Sequence, residues 1–259
     1  MNVSIIGAGT LAWHLAPALD NTDFAVREVY SADIRNADAL VEKLYQARPK
    51  ATLDFSISTS RIFIIAVPDD AIPEIVSGIV LPENAIIVHT SGSQPLSLLS
   101  YAGTPNVGVF YPLQTFSKGK KVDFREIPLF IESENSFTHN TLNAMGKAIS
   151  KKVYPITSSN RKALHVGAVF ASNFTNHMLT LAKSILEDHK LDFEYLKPLI
   201  AETMNKALGL GPEKSQTGPA KRGDLEILDA HMEFLKEEES ITEIYRVISQ
   251  DIIDRYVSE

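Results

Sequence analysis

Short apolar runs alternate with amphipathic runs through the first 155 residues. Asn2–Ile6 is a compact apolar run that predicts a strand, and Thr10–Leu19 follows with helical composition. Ala25–Ser31 predicts a second strand. In Ala37–Gln46 the apolar positions Ala37, Leu40, Val41, Leu44 and Tyr45 fall on one helix face. Arg61–Val67 shows no alternation: Ile62 to Val67 is apolar throughout, so both faces of that strand are buried, as in a central parallel strand. Ala85–His89 repeats the pattern. Val107–Phe110, Pro128–Ile131 and Val153–Ile156 predict later strands. Strands alternating with helices in this way predict an α/β fold, a doubly wound sheet with helices on both faces.

After Ser158 no strand pattern remains, and an all-helical C-terminal domain is expected. Ser159–Asp188 reads as one long helix, apolar almost all round between Leu164 and Leu181, and therefore buried on most sides. A second helix runs from Asp192, as N-cap, to Leu210, where Gly209 and Gly211 stop it. The loop GPEKSQTGPAKRG follows, then helices from Asp224 and from Ser240, the last opening with the capping-box spacing Ser240-Ile-Thr-Glu243. Pro17 lies beyond the first turn of the first helix and should kink or shorten it. The expected division is a nucleotide-binding domain over 1–156 and a helical substrate and dimerisation domain over 157–259. A helix apolar all round with three further helices to cover it predicts a homodimer closed by a two-fold axis.

Composition narrows the chemistry. The 259 residues include no cysteine, which excludes disulfides, thiolate zinc sites, iron–sulfur clusters and a thiol nucleophile. A net charge of -7 with no dense basic face argues against nucleic-acid binding. The most apolar long stretch, Ala163–Leu186, is broken by His165, Asn173, Asn176, His177 and Lys183, so no membrane span is expected. The N-terminus MNVSIIGAG lacks the basic flank and cleavage site of a signal peptide, so a cytoplasmic location is expected. The histidines show no metal-ligand spacing, and no metal is expected.

The densest signal is Gly7-Ala8-Gly9-Thr10-Leu11-Ala12, between a buried strand and a helix. That is the context of a dinucleotide fingerprint. Gly7 permits the turn, Gly9 admits a pyrophosphate, and Ala12 allows close helix–strand packing. Thr10 and Leu11 open the helix whose N-terminal N–H groups would face the phosphates. At the tip of the second strand Ser31 does not repel a 2′-phosphate and Arg35 could pair with it, which favours NADP over NAD. Asp33 argues for NAD if it faces the ribose. Val67, Pro68 and Asp69 end the most buried strand and would pass under the cofactor, unless Asp69 serves only as a helix N-cap. In His89-Thr90-Ser91-Gly92-Ser93, Ser91 could stand beside the nicotinamide, or Ser93 could merely cap the next helix.

Taken together, GAGTLA, AVPDDAI, HTSGS, YPLQTF, HVGAVFASN and TGPAKRGD resemble, in order and over nearly the whole chain, the Rossmann-like proteins with a DUF2520 C-terminal domain. These NADP oxidoreductases of unassigned substrate are distant relatives of pyrroline-5-carboxylate reductase and the β-hydroxyacid dehydrogenases. The resemblance implies an NADP-binding domain, a helical domain that usually dimerises, and a site for a small-molecule substrate between them. The family usually carries histidine before Pro-Leu, where this chain has Tyr111. If that histidine does acid–base work, Tyr111 replaces it or the role lies elsewhere.

On the long helix His165, Ser172 and Asn176 share a stripe, with Asn173 at its edge. Polar residues on so apolar a helix need partners or a cavity. His165 and Asn173 are therefore catalytic candidates with Ser91, or else satisfied core groups. The related dehydrogenases carry a catalytic lysine on this helix; none occupies that stretch here. Lys221 and Arg222 would hold a substrate carboxylate or phosphate, or else stand solvated beside an N-capping Asp224. The expected function is NADP-dependent hydride transfer to or from a small polar metabolite. The rival is a regulatory module that binds NADP without turnover.

Overall fold

The structure, a computed structural model, describes residues 1–257. It divides into two compact units, Met1–Asn173 and Phe174–Glu259. The first contains one eight-stranded sheet of β1 (Asn2–Ile6), β2 (Ala25–Tyr30), β3 (Arg48–Lys50), β4 (Ile62–Ile65), β5 (Ile86–His89), β6 (Val107–Pro112), β7 (Leu129–Ser133) and β8 (Val153–Pro155). The order is β3-β2-β1-β4-β5-β6-β7-β8, parallel except between β6 and β7. Its first six positions follow the dinucleotide-binding order, whose winding direction reverses between β1 and β4. All four residues of β4 are fully buried, as the lack of alternation predicts.

The helices of this unit are α1 (Thr10–Asp20), α2 (Ile34–Val41), α3 (Ile72–Gly78), α4 (Ser136–Ile149) and α5 (Ser158–Ala168). Pro17 sits inside α1 without shortening it. α2 begins and ends earlier than its apolar spacing suggests, because the Asp33 carboxylate accepts from the Arg35 N–H and starts the helix there. The chain then turns into β3, an Arg-Pro-Lys strand with no apolar residue to announce it. The expected single helix from Ser159 to Asp188 is interrupted. Thr157 caps α5, wider π-helical turns follow over Val169–Phe174, and α6 (Thr175–Asp188) resumes the ordinary winding.

The second unit comprises α6, α7 (Lys197–Leu210), α8 (Pro212–Ser215), α9 (Pro219–Arg222), α10 (Leu225–Phe234) and α11 (Glu239–Tyr256). Asp192 caps a 3₁₀ turn, Phe193–Leu196, that leads into α7. The expected capping box does not form: α11 already starts at Glu239, and the Glu243 carboxylate accepts from Arg246 at 2.6 and 2.9 Å. Asp224 stands at the N-cap of α10 without making a side-chain cap bond. Leu181, Ile185, Leu228, Ile241 and Ile248 line an apolar groove of about 340 Å³. Burial on most sides is not what one chain provides for the 159–188 segment. α6 has no buried residue, and Val166 and Phe170 are 49% and 64% exposed. No helix among the described residues is long and apolar enough to cross a membrane.

Candidate functional site

Backbone geometry builds the first constellation. The Gly7 N–H donates to the Tyr30 carbonyl at 2.7 Å, which bends the chain off β1 at φ +113°. A Cβ on Gly7 would run into the Ala66 carbonyl, so glycine is required twice over. Gly9 is different. It is the N-cap of α1, and a Cβ there would meet nothing nearer than the Ala66 oxygen at 3.9 Å. No packing within the chain demands glycine at that position; the space a side chain would fill opens on the cleft. No side chain caps α1, so the first-turn N–H groups are left for an external acceptor. Leu11 packs on the core, and Ala12 is fully buried against it. These features fit the phosphates of a dinucleotide.

The cleft beside this loop holds about 440 Å³. Gly7, Gly9, Thr10, Ser31, Val67 and Pro68 all line it. Among the lining residues that the sequence did not single out are Asn36, Glu74 and Lys118. Arg35 is not on the wall; its guanidinium forks the Asp33 carboxylate at 3.0 and 2.7 Å and is 86% exposed. That contact holds Asp33 below the usual carboxylate range. Asp69 caps no helix. It opens a 3₁₀ turn, and its carboxylate accepts from the Ser93 hydroxyl, joining the loop after β4 to the loop after β5. Ser93 in turn caps no helix either. The Ser91 hydroxyl accepts from the N–H groups of Ser93 and Gln94 at 3.1 and 3.0 Å and closes its own turn.

The second constellation is made of side chains. Tyr111, at the end of β6, meets His165 of α5 with Oη 3.1 Å from Nδ1. Gly92 lies against both: a Cβ there would come within 2.5 Å of Nδ1 and 2.8 Å of Tyr111 Cζ. Burial pushes the Tyr111 phenol up in pKa, so it keeps its proton at neutral pH. The cavity alongside holds about 790 Å³, and Tyr111, Gln114, Thr115, His165, Ser172 and Asn173 supply its polar lining. Among the described residues no Asp, Glu, Lys or Arg lines it. Tyr111, His165 and Asn173 are thus gathered around one space, with Ser91 on the loop that touches it.

Arg161, which the sequence pattern did not single out, holds this arrangement. It is fully buried. A guanidinium has five N–H donors, and all five are used inside the protein. Nε and Nη2 reach Glu132 at 3.3 and 2.9 Å, Nη2 also reaches Ser158 Oγ at 3.2 Å, and Nη1 reaches the carbonyls of Ser91 and Gln94 at 2.9 and 2.8 Å. Beneath the same loop His89 is fully buried, and its Nδ1 accepts from the Ser91 N–H at 3.2 Å. Burial, reinforced by the nearby Arg161 charge, pushes its pKa down to about 4. Lys221 and Arg222 belong to α9 in the second unit. Lys221 Nζ lies 4.9 Å over the Tyr256 ring, and Arg222 is 3.8 Å from Asp224.

Comparison with known proteins places these features in a family. The Rossmann-like domain matches residues 1–107, and a domain of unknown function, DUF2520, matches residues 127–252. A protein from Bacteroides fragilis to which NADP oxidoreductase activity is ascribed is 38% identical, covers 98% of both chains and superposes with a TM-score of 0.88. A Thermotoga maritima protein is 22% identical over 99% of this chain and 98% of its own, with a TM-score of 0.74. A reductive aminase from Aspergillus terreus, solved with NADPH and ethyl-5-oxohexanoate, shares the fold at 14% identity, 99% and 93% coverage and a TM-score of 0.75. No curated protein matches the chain. With an in-order match to both domains and an end-to-end relative at 38% identity, the chain belongs to the family in which a Rossmann-like domain precedes a DUF2520 domain.

Proposed function

We propose that this protein is an NADP-dependent oxidoreductase that transfers a hydride to or from a small polar metabolite in the cytoplasm. The observation that carries this reading is the meeting of Gly92, Tyr111 and His165 beside a cavity lined by no Asp, Glu, Lys or Arg, on the sheet edge that also bears the glycine loop. In open α/β sheets ligands bind at the carboxyl ends of the strands. Gly7, Gly9 and Thr10 would hold the pyrophosphate, with Leu11 and Ala12 packing the helix start behind them, Val67 and Pro68 the underside of the dinucleotide, and Ser31 with Asn36 its 2′-substituted ribose. Bound there, the nicotinamide supplies or accepts the hydride.

Tyr111 and His165 handle the proton. Their Oη and Nδ1 share one hydrogen, so a proton lost from the phenol can be replaced through the imidazole, and the two rings act as a single acid–base unit. Asn173 and Ser172, which line the same cavity, would orient the substrate by hydrogen bonds. The exposed apolar residues Phe170, Leu199 and Leu208 support a homodimer built through the helical segment. Light scattering should then return twice the 28.6 kDa chain mass.

The decisive experiment is a metabolite panel followed through NADPH absorbance, repeated with His165→Gln. Turnover that falls about a hundredfold in the variant, with NADPH affinity kept, is the expected result for a lost proton carrier. Tight NADPH binding with no turnover across the panel would favour a non-catalytic sensor. Failure to bind NADPH at all would end the reading.

A further inference from the structure

The cleft beside the glycine loop needs a cation, and the residue that sequence reasoning selects is already engaged. Arg35 forks Asp33 and lies off the wall. The Gly7–Ala12 loop offers N–H groups but no charge. The wall itself carries one cation, Lys118, with Glu74 as its acidic counterpart.

The loop between β6 and β7 delivers Lys118, and its backbone is anchored on α1. His14 Nε2 lies 2.9 Å from the Ser117 carbonyl. The Phe116 ring stacks on His14 at 5.6 Å and on Phe124 at 5.8 Å. The next residue therefore emerges beside α1, with Lys118 Nζ 4.8 Å from the centre of the Trp13 ring. Trp13 is three residues, less than one helical turn, from Thr10 at the start of α1. Among the described residues Lys118 makes no ion pair, nor do Lys120 and Lys121 in the same loop, although the chain carries a net charge of -7. An indole face holds an exposed ammonium only weakly. A phosphate oxygen is the stronger partner, because both groups are ionised.

We propose that Lys118 is the phosphate-binding cation of this cleft, held in readiness on the Trp13 ring and turned onto a phosphate of the bound dinucleotide. The proposal rests on the reading of the cleft as a dinucleotide site. It does not depend on any catalytic role, because its measurement is binding.

The test is calorimetric titration of the full chain with NADP⁺ and, separately, with NAD⁺, for the unmodified protein and for Lys118→Ala, Lys118→Arg and Lys120→Ala. Lys118→Ala should weaken binding about tenfold, the loss of one charge-assisted hydrogen bond. Lys118→Arg should stay within about threefold, and Lys120→Ala, off the cleft wall, within about twofold. A loss shared by both nucleotides assigns Lys118 to the pyrophosphate; a loss confined to NADP⁺ assigns it to the 2′-phosphate. Either supports the proposal. Binding by Lys118→Ala within twofold of the unmodified protein would overturn it, as would an equal loss in Lys120→Ala, which would mark a diffuse field. If the unmodified protein binds neither nucleotide, the cofactor reading fails and takes the proposal with it. Lys118 is exposed, so unfolding does not confuse the result, and the thermal transition should be the same in all four proteins.

Discussion

The glycine loop after β1 and the serine loop after β5 leave the same edge of one sheet, but different parts of the chain hold them. At the first, the backbone does the positioning. Gly7 turns because of its own φ and one bond to Tyr30, and Gly9 leaves a space that nothing in the protein fills. At the second, side chains do it. Two carbonyls, a carboxylate and a hydroxyl converge on Arg161, and Gly92 is pressed against Tyr111 and His165. A site made of backbone is cheap to hold and tolerates change around it. A site made of buried polar side chains is fixed by mutual satisfaction, so one loss disturbs every member.

Four measurements would break or sharpen that contrast. The largest effect belongs to Arg161→Met, which strips five donors from a fully buried position and strands Glu132. Chemical denaturation should show a loss of about 3–5 kcal/mol, as for other broken buried ion pairs. A loss below about 1 kcal/mol, the range of a surface pair, would show that the loop does not depend on the clamp.

The pH dependence of stability comes next. His89 titrates at about 4 when folded and at about 6.5 when unfolded. Between those values the unfolded chain binds the extra proton, so its contribution is complete above pH 6.5 and is lost as pH falls toward 4. The loss reaches on the order of 3 kcal/mol and does not grow below the lower value. His89→Asn should flatten this part of the stability curve; an unchanged slope would reject the assignment.

Gly9→Val tests the backbone side of the contrast. Since its Cβ meets open space, the thermal transition should hardly move, while dinucleotide affinity falls about a hundredfold, or ~2.7 kcal/mol. Loss of fold together with affinity would show that the two sites are built alike. The smallest effect is expected from Tyr111→Phe, which removes Oη and keeps the ring. Turnover should drop about tenfold with cofactor affinity unchanged, and Tyr111→His should recover part of it by restoring a proton-bearing atom.

The contrast also explains what could be read from the sequence. GAGTLA was legible because backbone geometry dictates residue types at fixed local spacing. The strands were legible wherever burial on both faces erased alternation, as in Ile62–Ile65. His165 and Asn173 stood out as polar groups on an apolar helix. Arg161, Glu132 and Gly92 did not, because their roles exist only once β7, α5 and the loop after β5 are brought together from distant positions. Lys118 lay in a run of lysines that any solvated loop could carry. Ser240-Ile-Thr-Glu243 misled for the opposite reason: the local pattern was present, but the helix had already begun at Glu239 and the glutamate turned to Arg246.

The Arg161 clamp also acts as a fixed electrode. A guanidinium keeps its charge throughout the accessible pH range. Sealed under the loop, it works against protonation of His89 and offsets part of the effect that burial has on the Tyr111 phenol. Its charge is shared with the Glu132 carboxylate at 2.9 Å, and Asp69 acts on the Tyr111 phenol in the opposite sense, so the charge that Tyr111 meets is set by all three groups. The contribution of Arg161 therefore does not switch with pH, whereas the carboxylates that balance it can be protonated.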